Sequence, residues 1–188
     1  MAVGEVRPDV TGLVREAQAG STAAFSELVR LHQDEVFTLA YRLTGDAFLA
    51  ADVAQDAFVR AWRAIAGFRA DARFSTWLHR ITVNVAWTER SRQRRRGADS
   101  IDDLVHEPAA AGPSTERLAV DAAFGSSLAS ALLSLPIALR SVVVLKDVYG
   151  WSHAEIAEDL AITVTSSKVR LHRARRLLRE RIDRESLL

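Results

Sequence analysis

Apolar residues recur at three- and four-residue intervals along most of this 188-residue chain, a period that helices satisfy and strands do not. Between positions 22 and 43 the spacing runs through Phe25, Leu28, Val29, His32, Val36, Leu39, Ala40 and Leu43. No segment alternates with period two over a useful length, and Val142-Val143-Val144-Leu145 is too isolated to argue a sheet. Of the four prolines, Pro8, Pro108 and Pro113 fall at the N-terminus or in the middle of the chain, away from the periodic segments. The chain is expected to be all-α.

Capping residues divide it. A helix over 9–19 stops at Gly20, and a second covers 22–43. Gly45 suits a C-cap, and Asp46 suits the N-cap of a third helix reaching about Ala66. Residues 67–74 read as a loop, after which Ser75 can cap a helix running into arginines at Arg96. The segment from Gly97 to about Ser114 holds Gly, Pro, Ala and acids with no apolar face, as a flexible linker does. Four further helices follow, at about 115–134, 136–149 (Pro136 at its first position), 153–160 and 164–184. The expected organisation is two small helical domains, 1–97 and 115–188, joined by an acidic flexible linker over 98–114.

Composition removes several classes of function. With 48% hydrophobic and 26% charged residues the chain is globular in character. The absence of cysteine excludes disulfides, thiol nucleophiles and cysteine metal sites. No apolar run approaches the roughly 20 residues that span a bilayer, and residues 1–8 lack a secretory signal, so a cytoplasmic protein without membrane insertion is expected. The histidines at 32, 79, 106, 153 and 172 are scattered, with no HExxH, no phosphate-binding glycine loop and no G-x-S-x-G. His153 and Glu155 would lie on different sides of a helix. Neither catalysis, metal nor cofactor is expected.

The net charge of +1 conceals strong segregation. Five arginines and no acid lie between Arg90 and Arg96, and eight cations face three acids between Lys168 and Leu188. Between them, 99–121 holds six acids and one arginine. Two basic blocks suggest two polyanion contacts. Of the 25 cations 23 are arginine, which suits bidentate contact with phosphate and guanine, although G+C-rich coding would also produce it.

Three constellations carry chemistry. Gly150-Trp151-Ser152-His153-Ala154-Glu155 opens a two-turn helix with a capping box, and Thr163 caps a long basic helix after a short turn. Those are the parts of a helix-turn-helix, whose second helix enters the major groove. At 100° per residue Val164, Leu171, Ala174, Leu178 and Ile182 form a buried stripe about 80° wide. Ser166, Val169, Arg170, Arg173 and Arg176 lie opposite, with Lys168, Arg175 and Arg179 at the flanks, within reach of phosphates. The alternative is a solvated basic face. In the helix from Ser75, Leu78, Ile81 and Val85 should be core, while Trp77, Arg80, Asn84, Trp87 and Ser91 form a neighbouring stripe. Such a stripe suits stacking on unpaired bases, and Trp77 and Trp87 suit a core equally well. In the third helix Val53 and Ala57 face inward, while Asp52, Gln55, Asp56 and Arg63 surround Val59 on the outside. That face suits a protein partner or plain solvation.

In this order and spacing the segments resemble the extracytoplasmic-function class of bacterial RNA polymerase sigma factors. The resemblance spans roughly 24–182. It rests on Leu43-Thr44-Gly45-Asp46, the run from Asp52 to Trp62, and Thr76-Trp77-Leu78-His79-Arg80-Ile81-Thr82-Val83-Asn84. In the second half it rests on Leu133-Ser134-Leu135-Pro136, Glu155-Ile156-Ala157-Glu158-Asp159-Leu160 and Arg170-Leu171-His172-Arg173-Ala174-Arg175. It implies that Asp52, Gln55, Asp56 and Val59 dock on the β′ clamp coiled coil of core RNA polymerase, a machine whose β and β′ subunits are the expected partners. It implies that the loop Phe68 to Phe74, including Arg73, captures a flipped −10 base and helps melt promoter DNA, together with Trp77, Arg80, Asn84 and Trp87. The −35 element falls to Ser166, Lys168, Val169, Arg170, Arg173 and Arg176. The linker is expected to thread toward the RNA exit path, and an anti-sigma factor is an expected partner. Two departures stand out: Val169 presents methyls where the family commonly has a hydroxyl, and Thr88 replaces a frequent aspartate. Other readings of the residues are a dimeric helix-turn-helix regulator acting without polymerase, and an RNA-binding helical protein.

Overall fold

The computed structural model describes residues 9–96 and 126–185. Every regular element among the described residues is helical. The expected linker, 98–114, lies outside them, as does most of the helix expected over 115–134.

The first half is a bundle of α1 (Val10–Gln18), α2 (Thr22–Thr44), α3 (Ala47–Ala64) and α4 (Phe74–Arg96), with a 3-10 turn at Ile65–Gly67. The expected caps are in place. The side chains of Asp9, Ser21 and Asp46 accept hydrogen bonds from the backbone N–H groups of Gly12, Ala24 and Leu49, at 3.1, 3.2 and 3.0 Å. Gly45 takes φ 77°, and its N–H donates to the carbonyl of Tyr41, ending α2. A Cβ at this position would also come 3.0 Å from Arg140 Nη1, so glycine meets both a conformational and a packing demand. The interior is filled by Leu28, Val36, Leu39, Leu43, Val53, Leu78, Val83 and Val85, each at most 1% exposed. Ile81, expected beside them, is only half-buried.

Helix α4 begins at Phe74, one residue before the expected Ser75 cap, because Trp77 N–H donates to the carbonyl of Arg73. Phe74 draws this first turn inward: it is buried and packs against Phe68, Trp77 and His32.

The second half contains α5 (Ser126–Leu133), α6 (Ile137–Val143), α7 (His153–Asp159) and α8 (Val164–Glu185). Pro136 precedes α6 as its N-cap, one position earlier than expected. The expected helix through Tyr149 widens over Val144–Val148 into a π turn, with Tyr149 N–H donating to the carbonyl of Val144. Val144 and Leu145 are thereby buried with Val142, Ile156, Leu171 and Ala174.

The two halves, expected as separate units on a tether, lie against each other. Arg140 is buried and donates to the carbonyls of Leu133 (3.1 Å) and, across the boundary, of Thr44 (3.4 Å). Tyr149 meets Arg42 Nη1 through its hydroxyl at 3.2 Å, and its ring lies edge-on to His79 with centroids 4.7 Å apart.

Candidate nucleic-acid interface

The second half places its candidate residues on a helix-turn-helix. Both arms of the capping box form: Glu155 N–H donates to Ser152 Oγ at 3.2 Å, and Ser152 N–H to Glu155 Oε2 at 2.8 Å. Hydrogen bonds from the backbone N–H and then the side chain of Ser152 hold the Glu155 carboxyl below the usual carboxylate range, with Arg80 contributing further. Ala161 turns the chain with φ 49°, and Thr163 Oγ1 accepts from Ser166 N–H at 3.0 Å to open α8. A bond that sequence reading missed joins the two helices: His153 Nδ1 lies 2.9 Å from Ser167 Oγ, and Ser167 is fully buried. Burial, then the charges of Lys146, Lys168 and Arg175, push the His153 pKa down, so the neutral ring is favoured there. Ser167 could have been found from its angle on α8, close to the Leu171–Ala174 stripe.

On α8, Leu171 and Ala174 are buried, and Leu178 and Ile182 are half-buried, as the stripe requires. Val164 departs from it at 42% exposed, since the first residue of the helix lies beyond the core. On the other face Lys168, Val169, Arg173 and Arg176 are exposed, and Ser166 and Arg170 are half-buried. Among the described residues no acid pairs with Lys168, Arg170 or Arg173. Arg176 Nε lies 3.7 Å from Glu180 Oε1. Arg175, expected to be available for phosphate, is instead held by Asp147, with Nε to Oδ2 at 3.0 Å. Its partner comes from the turn before the helix-turn-helix, which periodicity along α8 cannot show.

In the first half the loop and the start of α4 form an aromatic platform. Phe68, Phe74 and Trp77 contact one another with centroids 5.0–6.0 Å apart, and Gln18 Nε2 ties the loop down by donating to the carbonyl of Phe68 at 2.7 Å. Phe68 and Trp77 are half-buried and keep an accessible surface; Arg73 and Asn84 are exposed. Phe74 departs from expectation: at 5% exposed its ring serves the core, where it supports Phe68 and Trp77 from below. Trp87 is half-buried, and its Nε1 is buried without a hydrogen-bond partner among the described residues. Arg80 faces the second half: Nη2 lies 3.4 Å from Glu155 Oε1, and the guanidinium carbon lies 5.7 Å from the centroid of the Trp151 ring. Nearby, hydrogen bonds from His32 and then His79 hold Glu35 well below the usual carboxylate range.

The outer face of α3 is as expected, with Asp52 and Gln55 exposed, Val59 41% exposed, and Asp56 bonded to Arg60 Nε at 3.0 Å. Sequence reading missed Phe48, which is 80% exposed in the first turn of α3. Beside Gln55, a shallow groove of about 300 Å³ is floored by Val29, Phe37, Ala54 and Phe58, with Gln33 and Asp34 on its rim. Among the described residues no cluster of three or more His, Asp or Glu could hold a metal ion. No helix among them is long and apolar enough to cross a membrane.

Comparison with known proteins agrees with this layout. Residues 28–96 match the family described as Sigma-70 region 2, and residues 126–178 match Sigma-70 region 4. The ECF RNA polymerase sigma factor SigE of Mycolicibacterium smegmatis is 34% identical over 185 residues, covering 97% of this chain and 72% of the relative. The ECF RNA polymerase sigma factor SigW of Bacillus subtilis is 32% identical over 178 residues, covering 90% and 94%. Among solved structures, CnrH in complex with the cytosolic domain of CnrY superposes with a TM-score of 0.59 at 29% identity, over 91% of this chain and 95% of that one. The sigma factor RpoE in complex with the anti-sigma factor NepR from Bartonella quintana shares the fold, with a TM-score of 0.62 at 23% identity over 85% and 96%. A region 2 bundle and a region 4 helix-turn-helix in one chain, with full-length relatives above 30% identity, place this protein in the ECF RNA polymerase sigma factor family.

Proposed function

We propose that this sigma factor brings core RNA polymerase to promoters through two separate DNA contacts and one protein contact, and that it acts as a non-catalytic specificity subunit in the cytoplasm. The single observation that carries the reading is the α8 face. Directly after a capped two-turn helix, it presents Lys168, Arg170 and Arg173 without acidic partners among the described residues. Long bidentate donors near the start of such a helix suit base edges of a −35 element, and the cations beside them suit phosphates.

The platform of Phe68 and Trp77, with Arg73, Asn84 and Trp87 nearby, suits an unpaired −10 base: stacking offers about 1–3 kcal/mol per base, which offsets unstacking from the duplex. Phe74 supports this platform from the core. Arg80 belongs to the same surface, and its pairing with Glu155 and Trp151 means that its use on DNA requires the two halves to part. Asp52, Gln55, Asp56 and Val59 form the polymerase-docking face, an apolar residue ringed by acids and amides that suits a basic helical partner. Domain limits of 1–97 and 115–188 with a linker over 98–114 would let two weak contacts act together, each raising the effective concentration of the other. An anti-sigma partner is part of this proposal, supported by the complexes in which CnrH and RpoE were solved.

The decisive experiment is run-off transcription from a genomic library with purified core polymerase. Discrete start sites dependent on this protein are expected, and their absence overturns the reading. Tight binding to a palindrome without polymerase would favour a dimeric regulator. In the same system, Asp52→Arg with Asp56→Arg should abolish co-purification with core polymerase while helical content is retained. Unchanged co-purification overturns the docking face.

A further inference from the structure

We infer that Val169 reads the 5-methyl group of a thymine in the −35 element, making it a specificity-determining residue of α8. This rests on the reading of α8 as the −35 helix and adds the base that one of its residues selects. Val169 lies in the second turn of the helix and is 61% exposed, the most exposed large apolar side chain of the second half among the described residues. It is not an edge of the core. Its neighbours one turn away are Thr165, Ser166, His172 and Arg173, with Arg170 next to it in sequence, while the core residues Leu171 and Ala174 point to the other side.

Helix propensity does not account for it either, because a β-branched residue is among the weaker helix formers and holds nearly one χ1 rotamer there. That stiffness carries the argument: two methyl groups stand at a fixed height above the helix, between longer donors that reach past them. Thr165, Ser166 and Val169 are the short side chains of the face, so this strip of the helix can approach base edges most closely, while Arg170 and Arg173 reach further. In the major groove of unmodified DNA the one apolar group a base presents is the thymine 5-methyl, and alkyl side chains are its recognised partners.

The test uses the full-length protein with core polymerase on a promoter found by run-off, with deoxyuridine replacing each −35 thymine in turn on either strand. Deoxyuridine keeps O4 and the paired adenine and removes only the methyl. Burial of one methyl corresponds to about a three- to fivefold effect, so one position should lose initiation by that factor with the wild-type protein. With Val169→Ala the same substitution should change initiation less than twofold, and Val169→Thr, which keeps one methyl on the branched carbon, should restore part of the sensitivity. If initiation depends on −35 bases but no deoxyuridine lowers it, or if Val169→Ala remains as sensitive as wild type, the thymine contact is overturned. If no −35 base matters at all, the reading of α8 itself fails.

Discussion

The two surfaces proposed to contact DNA are built on opposite principles. On α8 the residues proposed to read DNA stand out from a helix whose other side is packed, and Lys168, Arg170 and Arg173 have no acidic partners among the described residues. On α4 and the loop before it, the aromatic residues lean on one another and on the core, and Arg80 is engaged by Glu155 and Trp151 of the other half. Reading the edges of a closed duplex needs free donors at the end of long side chains. Catching a single unstacked base needs a stiff apolar shelf, which only a core can hold still. The first surface is available as the chain folds. The second is partly covered by its own partner half.

That contrast can be attacked from several sides. The largest effect is expected on the free surface: Arg173→Ala should cost roughly 1–3 kcal/mol of promoter binding, read as about a 5- to 160-fold fall in run-off at −35-dependent promoters under subsaturating conditions. Equal transcription from all promoters would show that exposure on α8 does not mean use. On the covered surface, Tyr149→Ala removes the Arg42 hydrogen bond and the His79 ring contact together. Stability should fall by about 2 kcal/mol in urea unfolding, and the radius of gyration from X-ray scattering should rise as the halves part. An unchanged radius would place the hold elsewhere, with Arg140 the next residue to alter.

A smaller effect comes from Asp159, at the end of α7 near Arg80. Burial pushes its carboxyl up to about 6, against an ordinary 3.8, and its Oδ2 is buried without a hydrogen-bond partner among the described residues. The folded state therefore binds the proton more tightly than the unfolded chain between those two values, so stability falls as pH rises through that window. Asp159→Asn should stabilise the protein at pH 7 by about 1 kcal/mol, after discounting for partial solvent access, and the gain should vanish near pH 4. A thermal melt of both proteins at the two pH values decides it. The smallest effect is at Ala161, whose φ of 49° is costly for a side chain bearing Cβ. Ala161→Gly should stabilise the second half by about 0.5 kcal/mol without altering promoter choice; a melting temperature that falls would contradict it.

Much of this was legible before the fold. Apart from the helix expected over 115–134, most of which lies outside the described residues, period and caps located the helices to within a few residues, because N-caps, the Gly45 turn and the Ser152–Glu155 box are bonds within four positions of chain. The outward face of α3 and the inward face of α8 at Leu171 and Ala174 followed from the same angular reckoning. What escaped was of another kind. Phe74 has the chemistry of a base-stacking residue, and only its neighbours Phe68, Trp77 and His32 assign it to the core. Arg175 has the chemistry of a phosphate ligand, and only the approach of Asp147 assigns it a protein partner.

Sequence alone therefore settled which of the described segments are helical, which side of most of them is apolar and where positive charge collects. All of these are decided by interactions over one or two helical turns, where residue spacing is geometry. The three-dimensional packing decided that the halves close on each other, that Arg80 meets Glu155 across 75 positions, and that Thr44 offers its carbonyl to Arg140 across 96. Such contacts depend on how two apolar surfaces meet, and that meeting is the joint result of many side-chain shapes, none of which carries it in its own local pattern.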